Sequence, residues 1–138
     1  MMRVPYDQTY RPPFPALTIV LHSDDERLGP LPALLDSGAD VSLIPTGLLE
    51  QINAAEGGEA YLRSHFGERQ VVPLYLVSIQ VSDQQLPALY VVGDDTGNEI
   101  ILGRDVLNKL PLFLDGPQQH CTVLDEATVK RWRARRKG

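Results

Sequence analysis

The chain is poor in metal-binding and redox residues, with one cysteine and three histidines among 138 residues. A single thiol cannot build an internal disulfide framework and suits a reducing compartment, so a cytoplasmic location is expected. Cys121, beside Thr122-Val123-Leu124, reads as a small core residue or as a reactive nucleophile, and the first is the commoner case. His22, His65 and His120 are scattered and give no ligand spacing, so neither a metal nor a cofactor is expected. Asp94 and Asp95 stand in an acidic loop, but no calcium-loop spacing follows them. Long apolar runs are also missing. The longest, such as Ala16 to Leu21, are far too short to cross a membrane, and Met1 to Phe14 shows no apolar segment of a secretory signal.

Positive charge is scarce over most of the chain. Residues 1–129 hold seven Lys and Arg against all eighteen Asp and Glu, a balance of −11, and the other six basic residues fall between Lys130 and Lys137. An acidic body argues against a nucleic-acid-binding body. The basic tail, with Trp132 among its cations, leaves a phosphate-contacting role open, although basic termini are more often solvated. With 43% hydrophobic and 22% charged residues, what remains suits one globular domain with its own core.

The most informative stretch is Ala33-Leu34-Leu35-Asp36-Ser37-Gly38-Ala39-Asp40-Val41-Ser42-Leu43-Ile44-Pro45. A carboxylate, a hydroxyl and a glycine stand together between apolar flanks of the kind that form buried strands. Asp-Ser-Gly alone is good turn chemistry. However, the apolar run resumes at once with Val41, Leu43 and Ile44, and a second signal, Ile100-Ile101-Leu102-Gly103-Arg104-Asp105, lies far downstream. Gly38 and Gly103 are 65 positions apart, too far for one local turn.

This pair of motifs, in this order and at this separation, resembles the retropepsin-like aspartic proteases, and the resemblance covers roughly Pro15 to Asp125. It implies a mainly β fold, a small closed barrel with one or two short helices. It also implies an arm over residues 1–14, a protease domain over 15–125 and a basic tail over 126–138. Asp36 would be the catalytic residue of an aspartic endopeptidase. Ser37, Gly38, Asp40, Gly103 and Arg104 would support the site, with Asp40 and Arg104 expected to form a buried carboxylate–guanidinium pair. Phe66 and Gly67 would belong to a hairpin covering the substrate, and Ile101 to an apolar pocket.

The chemistry itself needs two carboxylates, one ionised to take a proton from water and one protonated to polarise the carbonyl. One Asp-Ser-Gly in a single-domain length supplies only one of them, so a homodimer sharing its site across a two-fold axis is expected, acting on a peptide or protein. The alternative is a peptide-binding module of the same fold without hydrolysis.

Local patterning predicts the remaining elements. Met1 to Pro15, with four prolines, reads as an arm without regular structure, and Ala16 to His22 as the first strand. Pro30 to Leu35 reads as a strand delivering Asp36. A short helix opens at Pro45-Thr46 and is stopped by Gly57-Gly58. Ala60 to Val81 reads as a hairpin, and Val77–Val81 and Pro87–Val92 as another turning at Ser82 to Gln85. Ile100–Leu102 is a buried strand, Arg104 to Asn108 a short helix, and Leu112 to Leu124 a last hairpin. Beyond Asp125 the chain reads as a helix or a disordered tail. Ser42 is expected to be a buried hydroxyl bonded to backbone.

Overall fold

The structure, a computed structural model, describes residues 1–63 and 67–136. Its first hairpin follows from alternation. In β2 (Ala16–His22), Leu17, Ile19 and Leu21 point into the core while Thr18, Val20 and His22 are only partly covered. β3 (Arg27–Leu35) pairs with it antiparallel and begins earlier than the expected Pro30. Gly29 permits this, since its φ of +148° and the Ile19 carbonyl, 2.9 Å from where a Cβ would stand, leave room for no other residue. β3 ends in three buried residues, Ala33, Leu34 and Leu35.

Next come β4 (Leu43–Pro45) and α1 (Thr46–Gln51). The helix ends at Ile52, not at Gly57-Gly58, which lie inside β5 (Ala55–Arg63). The Tyr90 ring packs over Gly57 there, with Cε1 2.5 Å from the position of a Cβ. β6 (Arg69–Val81) and β7 (Gln84–Asp94) form a long hairpin, and β8 (Ile100–Leu102) leads into α2 (Arg104–Leu107). β9 (Leu112–Asp115) and β10 (His120–Val123) form the last hairpin, and α3 (Glu126–Arg136) settles the tail as helical.

The strand order β2-β3-β8-β4-β7-β6 closes on itself, because β6 also pairs with β2 through Val20↔Gln80, Leu21↔Ile79 and His22↔Ser78. Closure removes the edges of these six strands and encloses Leu17, Ile19, Leu21, Ile44, Val77, Ile79, Val81, Val91 and Leu102, all fully buried. The fold is thus the mainly β closed barrel that the motifs implied. β5 extends the sheet beyond β6 as an outer strand.

The N-terminal segment departs from expectation. Met2–Pro5 is a strand, β1, paired antiparallel with β10, in a separate three-stranded sheet of order β1-β10-β9. Met2 and Val4 pack against the core, and β10 offers the backbone partners that an isolated arm lacks. Further on, Asp7 and Phe14 exchange two backbone hydrogen bonds of 2.8 and 3.1 Å.

Candidate active site

β3 and β8 run parallel with Leu35 opposite Leu102, so the residues that follow, Asp36 and Gly103, emerge at the same end of the barrel. Short parallel strands of buried aliphatics thus bring together two motifs that lie far apart in sequence. The Asp36 N–H donates to the Leu102 carbonyl at 2.9 Å. Asp36 itself is half-buried, while Ser37 and Gly38 are exposed. The Gly38 N–H donates to Asp36 Oδ1 at 2.9 Å, and the Ala39 N–H to the Asp36 carbonyl at 3.1 Å. The bond from the Gly38 N–H fixes the orientation of the carboxylate.

The second loop locks onto the first. A Cβ on Gly103 would stand 2.8 Å from both the Ala39 carbonyl oxygen and the Val41 carbonyl carbon, so the backbones touch where only glycine fits. The Arg104 N–H then donates to the Ala39 carbonyl at 2.8 Å.

Two side-chain braces join the same loops. In the first, Arg104 Nη1 donates to the Ser37 carbonyl at 2.7 Å and Nη2 pairs with Asp40 Oδ1. This is the expected pair, but it is not buried: the Asp40 side chain is 85% exposed and that of Arg104 42%. Asp40 sits on a loop and Arg104 opens α2, both at the barrel's end, where water reaches the carboxylate. The second brace is sheltered. Ser42, with no exposure, accepts from the Gly103 N–H at 3.0 Å and donates its hydroxyl to Asp105 Oδ1 at 2.7 Å, while its own N–H donates to Asp105 Oδ2 at 3.0 Å.

Asp105 is the supporting residue that the sequence reading missed. The available signal was Ser42: a buried hydroxyl next to a buried N–H calls for an acceptor. Ser42 itself bonds to backbone as expected, and to this carboxylate as well.

The other candidates are not all drawn into this cluster. Ile101 is half-buried in β8, opposite Leu34 on one side and Leu43 on the other. Gly67, exposed with φ +82°, stands at the far end of the β5–β6 hairpin. Phe66 lies outside the described residues. At the foot of that hairpin's tip Arg63 faces Arg69, a like-charge pair that weakens cross-strand pairing.

The N-terminal segment approaches the site from the side. The Pro15 carbonyl accepts from the Leu35 N–H at 3.0 Å, next to Asp36. The Tyr10 hydroxyl donates to the Glu99 carboxylate, one residue before β8, and this bond pushes the Tyr10 pKa up to about 12. Cys121 is fully buried, and desolvation raises its thiol to about 11, so it is a protonated core residue rather than a nucleophile.

Comparison with known proteins is consistent with this geometry. The family described as "gag-polyprotein putative aspartyl protease" matches residues 27–109, a span that includes both loops and the barrel strands between them. Among solved structures, a retropepsin-like aspartic protease from Rickettsia conorii superposes with a TM-score of 0.59 at 9% identity, covering 88% of this chain and 88% of that one. The EIAV protease, solved with the inhibitor HBY-793, superposes with a TM-score of 0.53 at 22% identity, covering 70% of this chain and 86% of that one. At these identities the likeness is one of fold. No curated protein matches the sequence.

Proposed function

The chain belongs to the gag-polyprotein aspartyl protease family, and from that premise we propose that it is an endopeptidase whose Asp36 works in a pair with Asp36 of a second chain. The observation that carries the reading is the hydrogen-bonded junction of the Asp36–Asp40 and Gly103–Asp105 loops, with a half-exposed carboxylate at its centre. In this reading residues 15–125 are the protease domain, flanked by the arm and the basic tail.

A two-fold axis beside Asp36 brings two identical carboxylates together. Two such charges in close contact cannot both ionise cheaply, so the pair holds one proton and titrates as a unit. The ionised member takes a proton from water as the oxygen attacks the peptide carbonyl. The protonated member hydrogen-bonds the carbonyl oxygen and stabilises the tetrahedral intermediate. A proton then passes to the nitrogen, the C–N bond breaks, and the pair is left with one proton as before. Gly38 leaves space beside the carboxylate, and the Asp40–Arg104 brace holds the loop at the angle that the pair needs. Phe66 and Gly67 would close over the peptide, and Ile101 would line an apolar pocket beneath it.

The test is cleavage of a peptide library at mildly acidic pH, with wild type, Asp36→Asn and an equal mixture of the two refolded together. Asp36→Asn is expected to abolish turnover and keep the fold. Random pairing leaves roughly a quarter of the dimers wholly wild type, so the mixture should show about a quarter of the activity of an all-wild-type control. Activity at half would mean that each chain works alone and would overturn the shared site. Peptide binding without any turnover by the wild type would favour the binding-module reading.

A further inference from the structure

We propose that the outer face of the β1-β10-β9 sheet, together with α3, binds single-stranded nucleic acid. Exposed Phe113 and Trp132 stack on bases, and the arginines near them hold phosphates. The assignment does not rest on the protease reading.

Alternation along the strands divides this sheet into two faces. Cys121 and Val123 lie in the core, and Met2, Val4 and Leu112 pack against it. Phe113, Thr122 and Arg3 stand side by side in register on the opposite face, one from each strand. Asp115 and His120 form the next row of that face. These five residues and Gln118 line a hollow of about 160 Å³.

α3 meets this face at Phe113 and is anchored there. Thr128 is buried, its N–H donates to Asp125 Oδ1 at 2.8 Å, and the Val129 N–H donates to the Asp125 carbonyl at 3.1 Å. Trp132 then stands edge-on to Phe113, with ring centroids 6.0 Å apart and planes at 86°. An edge-on contact leaves aromatic surface uncovered, and both residues are 44% exposed. Arg135 and Arg136 follow Trp132 by three and four residues, which puts them on its side of the helix. Lys130 pairs with Glu126, and Arg131 donates to the Thr128 hydroxyl. Among the described residues, Arg3, Arg133, Arg135 and Arg136 have no carboxylate within ion-pair distance.

Three features of the surface select the ligand. Residues 126–136 hold five cations against one carboxylate, so the ligand is an anion. Four of the five are arginines, whose planar fork matches a phosphate. The paired rings call for flat partners, and each nucleotide of a single strand offers a base beside its phosphate, whereas a duplex hides its base faces. A lipid surface fits less well, because α3 contains no Leu, Ile, Phe or Met to form an apolar face. An acidic peptide would satisfy the arginines and leave the rings without partners. Asp115 is the one carboxylate on the sheet face. Its Oδ1 accepts the Gln118 N–H at 3.2 Å, and its charge repels phosphate, so bases lie over the sheet and phosphates towards α3. Residues 1–125 carry seventeen acidic against seven basic residues, which confines a polyanion to this end of the molecule.

Trp132 is the only tryptophan of the chain and reports directly on stacking. The experiment titrates the full chain at low salt with single-stranded oligodeoxythymidine of about a dozen nucleotides, within the usual range of site sizes. Tryptophan emission is followed for the wild type, and anisotropy of dye-labelled oligonucleotide for all variants. Saturable quenching is expected. Affinity should fall with sodium chloride at a log–log slope of about −2 to −3, for three or four phosphates held. Trp132→Leu and Phe113→Ala should each weaken binding about tenfold with the slope unchanged. The double variant Arg135→Gln, Arg136→Gln should flatten the slope by about 1.4. Inorganic polyphosphate should bind more weakly and without quenching. Should an aromatic variant fail to fold, the wild-type comparison of oligonucleotide with polyphosphate decides. No binding at low salt would overturn the site, as would equal binding by wild type and both aromatic variants. Polyphosphate matching the oligonucleotide would reduce the surface to its charge and overturn the stacking platform. Phosphatidylserine vesicles that bind the chain when the oligonucleotide does not would replace nucleic acid with a lipid surface.

Discussion

Two braces join the same pair of loops, and they differ in their access to water. Arg104–Asp40 is the more obvious, since a guanidinium and a carboxylate lie within contact, but both side chains are substantially exposed. Ser42–Asp105 contains one neutral partner, yet Ser42 is wholly buried and its hydroxyl and N–H both end on the same carboxylate. An exposed ion pair is screened and contributes under about 1 kcal/mol, whereas hydrogen bonds from sheltered groups to a charge contribute about 1.5–3 kcal/mol. The formal charges would rank the braces one way, and burial ranks them the other.

The largest effect should come from the backbone contact that both braces serve. Gly103→Val puts a branched side chain where even a Cβ stands 2.8 Å from backbone atoms of Ala39 and Val41. Backbone atoms cannot swing aside as a long side chain can, so the loops must part, at a cost of about 3 kcal/mol. At roughly 4 °C per kcal/mol for a chain of this size, the melting temperature should fall by more than 10 °C, roughly, by that same scaling. A fall of only a degree or two in calorimetry would mean that the loops are not in contact.

Next is Asp105→Ala, which leaves the Ser42 N–H and hydroxyl facing a void. A loss of about 2–3 kcal/mol is expected in urea unfolding at fixed protein concentration, and roughly half of that for Asp105→Asn, which keeps one acceptor oxygen. An unchanged midpoint for Asp105→Ala would remove the sheltered brace from the comparison.

Much of this was legible in advance, and the exceptions share a cause. β2 and β8 were expected over the spans they occupy, because runs such as Ala16–His22 and Ile100–Leu102 carry their own apolar signal. Asp36, Gly38, Gly103 and Arg104 could be named together because their motifs are dense and ordered. What could not be read depends on partners distant in sequence. β1 forms because β10, at the other end of the chain, accepts its backbone. Gly57-Gly58 resembles a helix stop until the Tyr90 ring is placed against it. Asp40–Arg104 could be paired from the motifs, but whether water reaches it depends on where the loops stand in the barrel, which no residue type encodes. Asp105 followed the more visible arginine and was overlooked for that reason.

The smallest effect, and the sharpest test of the comparison, lies in how each brace responds to salt. Arg104→Ala should cost about 1 kcal/mol at low ionic strength, through loss of the exposed pair and of the bond to the Ser37 carbonyl. Arg69→Ala, an exposed residue facing Arg63 on the hairpin, should cost nothing measurable. In about 1 M sodium chloride the screening length falls to about 3 Å, and the attraction between charges standing in water is largely removed. The gap between Arg104→Ala and wild type should therefore narrow. The gap for Asp105→Ala should persist, because its hydrogen-bond donors sit on a buried residue that ions do not reach. Sodium chloride suits this test better than sulfate, which strengthens apolar burial throughout and would move all three proteins. If both gaps narrowed together, Asp105 would be as open to solvent as Asp40, and the ranking of the braces by burial would fail. If neither narrowed, the Asp40–Arg104 pair would be sheltered in solution, as it would be if a second chain covered that end of the barrel.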